Sequence, residues 1–67
     1  MIVDLNGERT PLPDEATLVE AVTASGADQA RGVAVALDGE VVPRAEWADR
    51  RLSDGQEVEV VRAVQGG

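Results

Sequence analysis

MIVDLNGERTPLPDEATLVEAVTASG, residues 1–26, is the stretch whose reading decides the fold. Residues 1–5 are rich in β-branched and apolar side chains and read as a strand. Asn6-Gly7 follows, and a type I′ hairpin turn needs positive φ at both central positions, which Asn and Gly tolerate. Residues 8–12 return as a second strand. Pro11 has no N–H to donate, so this strand suits the edge of a sheet. After a short connection, Thr17-Leu18-Val19-Glu20 has the spacing of a capping box, with hydroxyl and carboxylate each serving the other's backbone. Leu18, Ala21, Val22 and Ser25 then recur at helical spacing, which predicts roughly two to three turns with one apolar stripe. Gly26 is the natural stop.

The pattern continues outward from this hairpin and helix. Residues 32–37 alternate Val33, Val35 and Leu37 with Ala34 and Ala36, the period of a strand. Asp38-Gly39 is a second two-residue turn, residues 40–42 return, and Pro43 ends them. Residues 45–48 predict one irregular helical turn, and Ser53-Asp54-Gly55 a third tight turn. Residues 56–63 read as the last strand. The predicted class is therefore α+β: a mixed sheet of five strands with one helix packed on one face. The hairpin pairs are antiparallel, whereas the first and last strands pair in parallel only if the helix crosses between them. Residues 1–63 form the expected domain, and residues 64–67 a flexible tail.

Composition narrows the function. At 67 residues there is no room for both a core and a deep catalytic cleft. The net charge is −7, and all six basic residues are Arg, so the clustered positive charge that nucleic acids and anionic lipid surfaces require is missing. The acidic surface suits solubility and also suits attraction to basic protein surfaces. Cys and His are absent, which removes disulfides, the usual zinc ligand sets, Cys nucleophiles and His-dependent triads. No Lys is present for a Schiff base, and no Gly-rich phosphate loop occurs. The acidic residues are scattered over turns and outer strand positions, where no setting separates their pKa values. The first residues lack the basic flank and long apolar core of a signal peptide, and no run approaches a membrane span. A cytoplasmic domain is expected, with nothing in it that looks like an enzyme's catalytic centre.

What remains is the end, Val64-Gln65-Gly66-Gly67. Without a Cβ, paired glycines pass through channels too narrow for other residues, so they place a carboxylate on a thin stalk. A frayed end has the same composition. The surrounding residues add to this. Val42-Pro43-Arg44-Ala45-Glu46-Trp47, then Leu52-x-Asp54-Gly55-x-x-Val58-Glu59, and finally Ala63-Val64-Gln65-Gly66-Gly67 resemble the ThiS family of thiamine-pathway sulfur carriers. The resemblance spans nearly the whole chain. Asp38 stands where that family often has Asn, and either residue suits the turn.

The resemblance implies a β-grasp (ubiquitin-like) fold, with the last strand central and parallel to the first. It implies that an E1-like (ThiF-like) adenylating enzyme uses Mg-ATP to activate the Gly67 carboxylate, with Gly66 beside it. Persulfide sulfur from a donor such as a cysteine desulfurase then replaces AMP. The resulting thiocarboxylate supplies thiazole synthase (ThiG-like). It further implies that the chain itself binds no metal or cofactor. Gly-Gly alone also fits a carrier for molybdopterin synthesis or a ubiquitin-like protein modifier, and a plain interaction domain with an incidental tail is a further alternative.

Other residues qualify as partner contacts. In the last strand Val58 and Val60 should face the helix with Glu57 and Glu59 outward. Val61 and Ala63 break that alternation by placing apolar groups outward. Ile2, Ala34 and Ala36 should share their face, making a patch of small apolar groups beside Val64 and Gln65. Arg44 reads as a contact to a partner's carboxylate or as a solvated turn charge. Trp47, the only aromatic, reads as a loop anchor with a bonded indole N–H or as an exposed interface contact.

Overall fold

A computed structural model describes residues 1–27 and 32–62. Strands β1 (Ile2–Leu5) and β2 (Glu8–Pro11) precede helix α1 (Leu18–Ala24). Strands β3 (Val33–Leu37), β4 (Glu40–Val42) and β5 (Glu57–Arg62) follow, with a 3-10 turn at Arg44–Glu46. The sheet order is β2-β1-β5-β3-β4. β5 is thus central, parallel to β1 and antiparallel to β3. Together with helix α1, this is the β-grasp arrangement, in which the first and last of the described strands meet at the middle of the sheet.

Local sequence accounts for each element. Asn6 and Gly7 sit at φ 53° and 85°, and Asp38 and Gly39 at 49° and 87°, as type I′ turns require. Pro11 lies in β2, an edge strand, as its missing donor demands. At the helix start the capping box forms: the Glu20 carboxylate accepts from the Thr17 N–H at 3.1 Å and from its hydroxyl at 3.2 Å. Ser25 does not join the apolar stripe. Its hydroxyl instead donates to the Val22 carbonyl at 2.6 Å and accepts from the Ala27 N–H, tying off the last turn.

The core lies between one sheet face and α1. Val3, Leu5, Val35, Leu37, Val42 and Val58 meet Leu18, Ala21 and Val22 there, all buried. Trp47 and Leu52 close one side of this layer. Trp47 is only 3% exposed, and its indole N–H donates to the Val42 carbonyl at 2.9 Å. The ring is therefore an anchor. Behind it, Leu52 N–H donates to Ala16 O and Leu18 N–H to Arg50 O, stitching the 43–52 segment to the start of the helix. Among the described residues, no helix is long and apolar enough to cross a membrane.

Candidate functional site

β5 carries the chain toward Gly67, so its end is where a terminal group would be presented. The strand is held on both sides. On the β1 side Asp4 and Asn6 N–H groups donate to Gln56 and Val58 carbonyls at 2.9 and 2.8 Å. β1 turns away at Asn6, and there the Asn6 side-chain oxygen accepts from the Val60 N–H at 2.8 Å. One residue thus makes the turn and extends the pairing of the central strand. On the other side β3 pairs continuously from Leu37↔Val58 to Val33↔Arg62. At the strand's entry Asp38 accepts from the Glu57 N–H at 2.9 Å and from the Gln56 amide at 3.0 Å. β5 is therefore fixed to the sheet through Arg62. Ala63, Val64, Gln65, Gly66 and Gly67, five of the sequence-predicted site residues, lie outside the described residues.

The outer face brings some predicted contacts together and separates one. Val61 is 58% exposed and stands directly opposite Ala34, which is also exposed. Ala36 lies two positions further along β3 on the same face. Its partner on β4 is Val41, 72% exposed. Val41, Ala36, Ala34 and Val61 therefore form one apolar corner at the end of the sheet from which β5 departs. Val41 was not anticipated; the signal was present in its adjacency to Val42, since two consecutive valines on a strand point to opposite faces.

Ile2 is the correction. It is on the expected face and 40% exposed, but its carbonyl accepts from the Gly55 N–H. Val61 lies six residues further along β5, ~20 Å away at ~3.3 Å per residue. Because β1 and β5 are parallel, the first residues of one strand sit beside the first of the other, at the far end from the tail.

Charge frames the corner. Asp4 and Glu57 are register partners, and Glu59 is opposite Ala36, so an acidic band runs alongside the apolar groups. Arg44 follows β4 at the end of the sheet shared by Val33 and Arg62. It is exposed, with its guanidinium 5.6 Å from the centre of the Trp47 ring. Among the described residues no group of three or more carboxylates is arranged to hold a metal ion. Among the described residues the site offers an apolar platform and an acidic border.

Proteins similar to this chain in sequence and in shape point to one family. The ThiS family model matches residues 2–67. The sulfur carrier protein ThiS of Thermus thermophilus is 46% identical over 66 residues, covering 98% of this chain and all of that protein. The crystal structure of the thiamine biosynthesis protein ThiS from Geobacter metallireducens superposes with a TM-score of 0.80 at 29% identity, with full coverage of both chains. An NMR solution structure of a thiamine biosynthesis protein from the same organism gives 0.79 at 29% identity, covering 100% of this chain and 88% of that one.

Proposed function

The chain belongs to the ThiS family, and from that premise we propose that it carries sulfur for thiazole formation in thiamine biosynthesis on the carboxyl group of Gly67. The observation that carries this reading is the family match through the final Gly66-Gly67 pair, joined to a central strand that anchors the chain firmly up to Arg62.

The chemistry follows from the carboxylate. A terminal carboxyl has a pKa of ~3.5 and is ionised at neutral pH, so it resists nucleophiles and offers only a poor leaving group. A ThiF-like adenylating enzyme, with its own Mg-ATP, joins the carboxylate oxygen to the α-phosphate and releases pyrophosphate. Persulfide sulfur then attacks the acyl carbon, the C–O bond to AMP breaks, and AMP leaves with the electron pair. A thiol outside this chain then attacks the donor's sulfur of the resulting acyl disulfide, the S–S bond breaks, a disulfide between thiol and donor forms, and the thiocarboxylate leaves with the electron pair to supply a ThiG-like thiazole synthase. This chain contributes reach, slenderness and a docking surface; the catalytic groups are its partners'.

The corner of Val61, Ala34, Ala36 and Val41 is the proposed docking surface, with Arg44 at its end and the acidic band along one side. It stands at the end of β5, so a partner seated on it would have Gly67 within the reach of five residues, each spanning at most ~3.6 Å.

The test is mass spectrometry of the intact protein after incubation with the cognate adenylating enzyme, Mg-ATP and a persulfide source. The expected gain is that of one oxygen replaced by sulfur, located at Gly67. Deleting Gly67 should abolish it: one extended residue spans ~3.3–3.6 Å, about the separation within which reacting atoms must be aligned. Modification of the shortened chain as fast as the parent would refute a positioned terminal carboxylate.

A further inference from the structure

The two sides of β5 end differently. Against β3 its pairing runs to Arg62. Against β1 it stops at Leu5↔Val58, because the chain turns back at Asn6-Gly7. We propose that the lane left beside residues 60–62 takes an extended segment of the adenylating enzyme, paired to β5 through main-chain hydrogen bonds; the inference rests on the sulfur-carrier reading.

Alternation along the strand fixes which groups face the lane. The Asp38 N–H donates to the Glu57 carbonyl at 2.8 Å, so the main-chain groups of Glu57, Glu59 and Val61 point toward β3. Those of Val58, Val60 and Arg62 point the other way. There the Val58 carbonyl accepts from the Asn6 N–H at 2.8 Å, and the Val60 N–H donates to the Asn6 side-chain oxygen at 2.8 Å. Beyond Asn6 the Val60 carbonyl and the Arg62 N–H face the lane with no hydrogen-bond partner among the described residues. The lane has room. Val61 and Arg62 are exposed and Val60 is half-buried, and nothing lies within 4 Å of where a side chain on Gly7 would stand. An unpaired length of strand is a template for another strand.

The chemistry of the tail selects the occupant. Five residues follow Arg62, and the last two are glycines. A glycine offers a partner only its N–H and its carbonyl. An enzyme that brings the Gly67 carboxylate to the α-phosphate therefore has main-chain groups to hold at that end, and strand addition is the geometry that holds them in series. Pairing that starts at Val60 and Arg62 runs directly into the tail and keeps it extended, ~17 Å for five residues at ~3.3 Å each. The entering segment supplies an N–H to the Val60 carbonyl and a carbonyl to the Arg62 N–H. Its side chains alternate too, one set beside Val61 on the outer face and the other beside Val60, so apolar residues fit at both. The lane lies on the opposite side of β5 from Ala34, Ala36 and Val41, and Val61 joins the two surfaces.

Amide hydrogen exchange of the parent, free and bound to the adenylating enzyme, is the direct test. The Arg62 N–H should exchange freely in the domain alone and at least about tenfold more slowly in the complex, whereas the Val61 N–H, which faces β3, should be protected in both. Arg62→Pro supplies a second arm. Proline removes the N–H that faces the lane and breaks no bond to β3, because Val33↔Arg62 is a pair without hydrogen bonds of its own. Its urea midpoint should match that of Arg62→Ala, which keeps the N–H. Its affinity for the adenylating enzyme should be about tenfold weaker than that of Arg62→Ala, the factor for a carbonyl left unmet in an interface. An Arg62 N–H that exchanges equally fast free and bound overturns the proposal, as do equal affinities for the two variants. Sulfur loading of the parent then leaves the carrier reading intact, whereas a parent that is never adenylated refutes both.

Discussion

Replacing Trp47 by Phe separates the two roles open to the chain's only aromatic. The ring is 3% exposed and its N–H is bonded to the Val42 carbonyl at 2.9 Å. Phe keeps a ring in the slot but cannot donate. The lost bond, with a buried carbonyl left unmet, costs about 1–2 kcal/mol. The smaller ring removes on the order of 40 Å² of apolar contact, about 1 kcal/mol at ~25 cal/mol per Å². Arg44, over the ring at 5.6 Å, loses a few tenths more, since indole is the better cation–π partner. The sum is ~2–3 kcal/mol, out of a total of ~3–10 kcal/mol for a chain of this length. With a urea slope near ~1 kcal/mol per M, the unfolding midpoint followed by far-UV circular dichroism should fall by about 2–3 M. Sulfur loading of the folded variant should be unchanged, because the indole is not available to a partner. A midpoint shift below about 0.5 M would refute the anchoring argument. Loss of partner binding at full stability would restore the interface role.

Three further outcomes follow from the same geometry. Val61→Asp should stay folded, since the side chain is 58% exposed, and should weaken binding to the adenylating enzyme or the thiazole synthase by tenfold or more, roughly the effect of losing a contact worth over 1 kcal/mol; Ile2→Asp, at the far end of the sheet, should not, as calorimetry of both complexes would reveal. Asn6→Gly and Asn6→Ala both remove the acceptor of the Val60 N–H, a loss of about 1 kcal/mol, but Gly also relieves the strain of a Cβ at positive φ, so the Ala variant should be the less stable of the two by about 1–2 kcal/mol; urea melts of the pair would expose any reversal of that order. The hydrogen bond from the Met1 ammonium, and then its charge, hold the Asp14 carboxyl below its ordinary value in the fold. Its folded pKa being depressed, its stabilising effect is present above the ordinary carboxylate range and is lost as the pH falls through the folded value. Carboxyl NMR titration should find the low value, and acetylation of Met1 should return it to normal.

The local features were legible because their causes are local. Positive φ at Asn6-Gly7 and Asp38-Gly39, the Thr17–Glu20 cap, the helix stop at Gly26 and the outward turn of Val61 each depend on residues a few positions apart. The family motifs, read with the terminal Gly66-Gly67, likewise needed no coordinates. Register between distant strands is another matter. It is set by how the buried faces of β1, β3 and β5 fit against α1, a condition that no short stretch contains. That fit moved Ile2 some ~20 Å from Val61, and it brought Val41 to the corner through Ala36. The same packing decided that Trp47 faces inward, where the Val42 carbonyl waits for a donor. It gave Asn6 and Asp38 second roles as acceptors for β5 amides, and it seated the Met1 ammonium between Leu12 and Asp14. The sequence by itself determined the elements and the family; tertiary packing decided which side chains became neighbours, because burial joins residues that the chain holds far apart.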